Sequence, residues 1–194
     1  FLLDDGGHHL GQRTQDSGGK IAKKIKTLAK YRNIPVQELP ADVNDQIVVN
    51  AMLSYPLKVL IYSGFGSAIL RDPILKTGKQ FVHVHLGMLP EYRGSTTIYY
   101  SLLNGDEFGA CAIILERGID TGPVIGQESM TPPPAGQDLD YEKDMQLRAP
   151  LLSEVMKIYQ DTGRFPFMKK MKEEGRQYYI AHPVLRHIAI LRKK

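Results

Sequence analysis

The sequence lacks the features of a secreted or membrane-spanning protein. Its 194 residues include a single cysteine, Cys111, so an internal disulfide is excluded. No apolar run approaches the ~20 residues that a membrane-spanning helix needs, and the first residues show no signal-peptide pattern. We therefore expect a cytoplasmic protein, in which Cys111, inside the apolar run "ACAIIL", is a small buried hydrophobic residue.

A dense patch of positive charge is also missing. The net charge is +4, and much of it lies in "MKKMKEEGR" and the terminal "LRKK". A surface that binds nucleic acid needs a denser and more continuous basic patch. We expect neither a nucleic-acid partner nor a membrane partner, and only a weak attraction for anionic substrates.

Strand-like and helix-like segments alternate along the chain. "LKVLIYSGFGSAIL" is apolar without alternation, as is typical of a strand buried on both faces. "QFVHVH" and "FGACAIILERG" predict further strands, and "TTIYYSLLNGD" predicts a helix that ends at Asn104-Gly105. This order predicts an α/β fold with a largely parallel sheet flanked by helices. Ligands of such sheets bind beyond the carboxyl ends of the strands, here at "SGFGS", "HVHLG" and "ERGIDTG".

His83 and His85 lie two residues apart on a predicted strand, so their side chains face the same side of the sheet. Asp120 follows a separate predicted strand, and its carboxylate can converge with the two imidazoles. Three interpretations stay open. A metal site uses these groups as ligands, and proton transfer with oxyanion stabilisation uses them without a metal. In a purely structural role the histidines bond only to backbone groups.

Three stretches accompany this pair in order: "HVHLGMLPEYRG", "SLLNGD" and "GIDTGPVI". Together they resemble the folate-dependent formyltransferase family, which includes the glycinamide ribonucleotide, methionyl-tRNA and sugar-nucleotide N-formyltransferases. The resemblance implies a Rossmann-like, formyltransferase-type fold that lacks the family's usual first strand. It implies an N-terminally incomplete α/β core at residues 1–130 and a C-terminal helical extension, residues 131–194, packed on the same domain.

The resemblance also implies site residues. His85 and Asp120 match the family's histidine and aspartate, which assist proton movement and orient the histidine and an ordered water. His83 stands where the family has an asparagine that stabilises the oxyanion, so His83 must do that work or leave it undone. Arg93 either contacts an anionic substrate or anchors its own loop. The folate is expected to contact a set of wall and backbone residues: Ala68, Ile69, Leu70, Leu115, Arg117 and Ile119.

The implied activity is transfer of a formyl group from 10-formyltetrahydrofolate to a primary amine of a small substrate, with no metal assigned. An amino-sugar nucleotide is the preferred acceptor, because the residues after Met130 leave little room for the additional RNA-binding domain of the methionyl-tRNA enzymes. A second copy of the chain, in a homodimer, is an expected partner. Two alternatives are a metal-dependent hydrolase that uses His83, His85 and Asp120, and a non-catalytic relative that binds folate or an anionic metabolite.

Overall fold

The computed structural model describes residues 2–3, 23–64, 68–136, 139, 144–166 and 175–192. The chain divides into two compact units. One unit comprises Phe1–Pro56 and Ser67–Thr77, and the other comprises Leu57–Gly66 and Gly78–Lys194. Among the described residues, no helix is long and apolar enough to cross a membrane.

The described part of the first unit holds a small parallel sheet and three helices. Its elements are β1 (Leu2–Leu3), α1 (residues 23–31), β2 (Glu38–Leu39), α2 (Gln46–Ser54) and α3 (Asp72–Leu75). The side chain of Asn44 joins the two stretches of this unit: it donates to the carbonyl of Ile69 at 2.9 Å and accepts from the N–H of Arg71 at 2.7 Å.

The second unit is built on a four-stranded sheet in the order β3–β4–β6–β7. These strands are β3 (Val59–Ile61), β4 (Gln80–Leu86), β6 (Phe108–Ile114) and β7 (Val124–Met130). A separate parallel pair joins β5 (Tyr92–Gly94) to β8 (Arg176–Tyr178). The helices of this unit are α4 (Thr97–Asn104), α5 (Asp144–Thr162) and α6 (Pro183–Leu191).

The α/β class is confirmed, but the main sheet is mixed rather than largely parallel. β3 and β4 are parallel, whereas β6 runs antiparallel to both of its neighbours, β4 and β7. Residues 115–123 connect β6 to β7, and a crossover between parallel neighbours needs a dozen or more residues. Every residue of β6 from Phe108 to Ile113 is buried, so its hydrophobic pattern does not reveal strand direction.

One face of the sheet packs on helices. Val82 and Val84 of β4 lie in a buried cluster with residues of α4 and α5, and α5 packs across β4, β6 and β7. A Cβ atom on Gly126 would lie 2.5 Å from Val155 Cγ1, so the glycine permits the close approach of α5 to β7. This packing fixes β4 from one side.

The predicted division into a core of residues 1–130 and an extension of residues 131–194 stays a prediction, as does the absence of a strand before Phe1.

Candidate functional site

β4 presents two histidines on the face opposite its core valines. His83 and His85 alternate with Val82 and Val84, and their register partners on β6 are Ile113 and Cys111. His85 is 5% exposed, and Cys111 is fully buried beside it. Burial raises the pKa of the Cys111 thiol to about 11, so this cysteine is a small hydrophobic residue of the sheet, as expected, and no nucleophile.

The imidazole of His85 lies between a backbone carbonyl and a carboxylate. Its Nε2 is 2.6 Å from the carbonyl oxygen of Tyr92, and its Nδ1 is 3.3 Å from Oδ2 of Asp120. A carbonyl oxygen can only accept, so Nε2 carries a proton. The hydroxyl oxygen of Thr97, 3.4 Å from Nε2, is a weaker second acceptor. The ring is thereby held with Nδ1 facing Asp120.

Asp120 lies in the turn that joins β6 to β7 and has a left-handed backbone, with φ 50°. Aspartate adopts this conformation more readily than most residues. Its carboxylate is anchored from the other side, since Oδ2 accepts the N–H of Gly94 at 2.8 Å. The turn and β5 together aim the carboxylate at His85.

His83 is oriented by the residue that follows β3. Its Nδ1 lies 3.1 Å from the carbonyl oxygen of Tyr62, whose own N–H bonds to the carbonyl of Val82. By the same reasoning Nδ1 of His83 carries a proton and donates it to Tyr62. In the neutral ring, Nε2 then carries a lone pair and no proton.

Burial favours the neutral form of both imidazoles. It lowers the pKa of His83 from 6.5 to about 4, against the opposing effect of the bond to Tyr62. Burial also lowers the pKa of His85, while the Asp120 charge and the bond to Tyr92 act in the opposite direction. The positive charge of Arg148 adds to the lowering at both rings.

The structure brings the three residues singled out in the sequence together. One ring nitrogen from each of His83 and His85 and one carboxylate oxygen of Asp120 all lie within 4.8 Å of one another. Such a group can move protons or hold a metal ion. The catalytic roles of these residues stay predictions.

Sequence reasoning missed the backbone groups that set both rings, namely the carbonyls of Tyr62 and Tyr92. It also missed Gly87, which has φ +148° and whose Cβ would lie 2.9 Å from both His85 Nε2 and the Tyr92 carbonyl oxygen. Only glycine leaves room for that hydrogen bond. The available signal was a glycine placed directly after a histidine-bearing strand.

Arg93 anchors its own surroundings. Its guanidinium donates to the carbonyl of Gly175 at 2.6 Å, beside the pairing of β5 with β8. This contact corresponds to the loop-anchoring interpretation, and a contact with substrate stays a prediction.

The residues expected to contact folate fall in both units. In the first unit Leu70 is buried at 5% exposure, Ile69 is exposed and Ala68 is half-buried. In the second unit Leu115 is half-buried, whereas Arg117 and Ile119 are exposed in the connection that leads to Asp120. Their folate contacts stay predictions. Residues 65–67 of the "SGFGS" stretch lie outside the described residues.

Comparison with known proteins identifies relatives of this chain. A family model described as "Formyl transferase" matches residues 13–143. The chain is similar to a methionyl-tRNA formyltransferase of Roseiflexus castenholzii, with 25% identity over 177 residues that make up 86% of this chain and 56% of the relative. The chain thus spans about half the length of this curated relative.

Solved structures share the fold. A 4-N formyltransferase from Francisella tularensis superposes with a TM-score of 0.62 at 18% identity, covering 93% of this chain and 74% of that one. The formyltransferase PseJ from Anoxybacillus kamchatkensis, in complex with UDP-4,6-dideoxy-4-formamido-L-AltNAc and tetrahydrofolate, gives 0.57 at 18% identity, covering 81% and 80%. These likenesses confirm the formyltransferase-type fold.

Proposed function

Because the chain belongs to the formyl transferase family, we propose that it transfers a formyl group from 10-formyltetrahydrofolate to a primary amine of a small substrate. The resemblance read from the motifs is confirmed at the level of the family. The solved relative with bound tetrahydrofolate supports the choice of formyl donor.

One observation carries the proposal. Nδ1 of His85 and Oδ2 of Asp120 come within 3.3 Å from separate segments, and both residues fall inside the span matched by the family. With Nε2 of His85 bonded to Tyr92, the lone pair of Nδ1 faces a carboxylate oxygen, and one proton taken up between them satisfies both. The pair is therefore suited to accept and release one proton during acyl transfer.

The reaction proceeds without a covalent enzyme intermediate. The amine nitrogen attacks the formyl carbon, a tetrahedral intermediate forms, and the bond from that carbon to the folate nitrogen breaks. The attacking amine loses a proton and the leaving folate nitrogen gains one, and the His85–Asp120 pair handles this proton. Holding both reactants against these fixed groups lowers the barrier by placement and electrostatics.

His83 contributes differently from the family's asparagine. Its Nδ1–H is already donated to the carbonyl of Tyr62, so a neutral His83 presents only the Nε2 lone pair. That lone pair can accept a hydrogen bond from the attacking amine, whose proton the His85–Asp120 pair takes up. The burial that lowers the pKa of His83 keeps the lone pair available at neutral pH.

We favour an amino-sugar nucleotide as the acceptor. The solved relative PseJ is bound to a formamido sugar nucleotide, and it covers 81% of this chain. Methionyl-tRNA is the second candidate, because a curated relative at 25% identity is a methionyl-tRNA formyltransferase. The modest net charge of +4 favours the smaller acceptor.

A screen of acceptors tests the proposal. The purified chain is incubated with 10-formyltetrahydrofolate and, in separate arms, an amino-sugar nucleotide, glycinamide ribonucleotide or methionyl-tRNA. Mass spectrometry is expected to show one added carbonyl group on the sugar nucleotide. Product on methionyl-tRNA alone would show that the chain transfers a formyl group but that its acceptor is the tRNA and not the sugar nucleotide.

Two controls accompany the screen. The His85→Ala variant should form product at least ~100-fold more slowly than the wild type. Folate binding measured by calorimetry without product in any arm would instead support a non-catalytic relative.

A further inference from the structure

We infer that His83, His85 and Asp120 also form a binding site for a divalent metal ion of the zinc type. Their ligand atoms, one from each side chain, lie within 4.8 Å of one another. Zinc accepts imidazole nitrogen and carboxylate oxygen at ~2.0–2.2 Å, so a small inward movement of these side chains completes the coordination. Three protein ligands leave a fourth position for water or a substrate atom, as in catalytic zinc sites.

In each histidine, one ring nitrogen donates its N–H to a backbone carbonyl, as is typical of histidines that bind a metal ion. Nδ1 of His83 donates to the carbonyl of Tyr62 at 3.1 Å, and Nε2 of His85 donates to the carbonyl of Tyr92 at 2.6 Å. Each bond fixes the tautomer, so the remaining nitrogen carries the lone pair that a metal needs. Histidine ligands of metal ions typically donate their second N–H to such a backbone carbonyl.

The third ligand faces one of these lone pairs. Oδ2 of Asp120 lies 3.3 Å from Nδ1 of His85, close to the ~3.3–3.5 Å that separates two ligands of a tetrahedral zinc with bonds of ~2.0–2.1 Å. The N–H of Gly94 holds the same oxygen at 2.8 Å. A proton between His85 and Asp120 would relieve the repulsion between their facing lone pairs but would leave the lone pair of His83 unused. A metal ion would bind all three groups.

One neighbouring charge opposes the cation. The guanidinium of Arg148 donates to the carbonyl of Val84 at 2.9 Å, between the two histidines in sequence. Its repulsion reduces the affinity, so we expect weaker binding than at structural zinc sites. The carboxylate of Asp120 offsets part of this repulsion.

Metal binding and formyl transfer use the same lone pairs, so they are alternative states of the site. The test therefore measures binding by the protein alone, and its outcome does not depend on whether the acceptor screen gives product. The purified chain is first dialysed against a chelator. It is then titrated with Zn²⁺ by calorimetry and with Co²⁺ by visible absorption.

We expect one Zn²⁺ per chain at this site, and ~10-fold or greater loss of affinity in His83→Asn and in Asp120→Asn, since loss of even an outer-shell partner costs ~10–100-fold. The matched control is the double variant His8→Asn/His9→Asn, which removes an adjacent histidine pair elsewhere in the sequence. It should bind Zn²⁺ like the wild type.

No Zn²⁺ binding by the wild type overturns the inference, as does wild-type affinity in a folded His83→Asn, or loss of binding in the His8/His9 control. Far-ultraviolet circular dichroism establishes folding of each variant. If His83→Asn fails to fold, the Co²⁺ spectrum of the wild type decides. Intense bands of four-coordinate cobalt support the site, and the weak bands of six-coordinate cobalt reject it.

Discussion

The two faces of β4 are made from alternating residues of one strand, yet they are held in different ways. On one face Val82 and Val84 pack into a cluster supplied by α4, α5 and β6. On the other face His83 and His85 are fixed by single polar atoms from Tyr62, Tyr92 and Asp120. The apolar face is held by side chains that fill volume and bury area, whereas the polar face is held by contacts that require polar atoms to point in a given direction. Mutations should therefore separate stability from activity along a single strand.

The largest expected effect lies on the polar face. His85→Ala should lower kcat/KM for formyl transfer by about 10²- to 10⁴-fold, because it removes the group proposed to carry the proton. It should also cost ~1–3 kcal/mol of stability, since the buried carbonyl of Tyr92 loses its hydrogen-bond partner. Steady-state kinetics on folded protein measures the first effect and denaturant unfolding the second.

The exposed His187 of α6 provides the control, and His187→Ala should match the wild type in both measurements. Turnover of His85→Ala within tenfold of the wild type would remove His85 from the mechanism.

Acid should weaken the polar face next. Burial lowers the pKa of His83 from 6.5 to about 4, so the unfolded chain binds a proton there that the folded chain resists. The stability linked to this group is complete above about pH 6.5 and is lost as the pH falls toward about 4. The loss is up to ~3 kcal/mol.

Urea unfolding of the metal-free protein across this pH range checks the sign. Carboxylates also titrate there, so the informative quantity is the difference between the wild type and His83→Asn. A difference in unfolding free energy that does not change with pH would refute the assignment to His83.

The apolar face should respond in stability alone. Val82→Ala removes two methyl groups from a fully buried side chain, which should lower the unfolding free energy by ~2 kcal/mol. Because α5 and α4 still hold the strand, kcat/KM per folded molecule should stay within a few-fold of the wild type. A larger loss of activity without a loss of stability would show that the two faces are coupled.

The two faces also differ in how much of their structure could be predicted from the sequence. Hydrophobic runs and turn residues were enough to predict β4, β6 and α4, and the His-x-His spacing was enough to place both imidazoles on one face. The strand direction of β6 was not predictable, because a buried strand has the same composition in a parallel or an antiparallel sheet.

The carbonyls of Tyr62 and Tyr92 were not predictable either. Every residue has a carbonyl, so no residue type marks the ones that orient a histidine. The tautomers of His83 and His85, and with them the chemistry of the site, follow from the fold and not from the motif.

The smallest expected effect comes from a substitution that changes the side chain of Tyr92 and keeps its backbone carbonyl. The hydroxyl of Tyr92 donates to Asp106 and accepts from the side-chain amide of Asn104 at 2.9 Å. The hydrogen bond of His85 to Tyr92 goes to the backbone carbonyl and not to this hydroxyl. Tyr92→Phe should therefore cost ~0.5–1.5 kcal/mol of stability and leave kcat/KM unchanged. Thermal unfolding and kinetics on the same preparation measure both. If Tyr92→Phe instead lowers kcat/KM as far as His85→Ala does, then β5 does not hold His85 through its backbone alone, and the phenol belongs to the polar face.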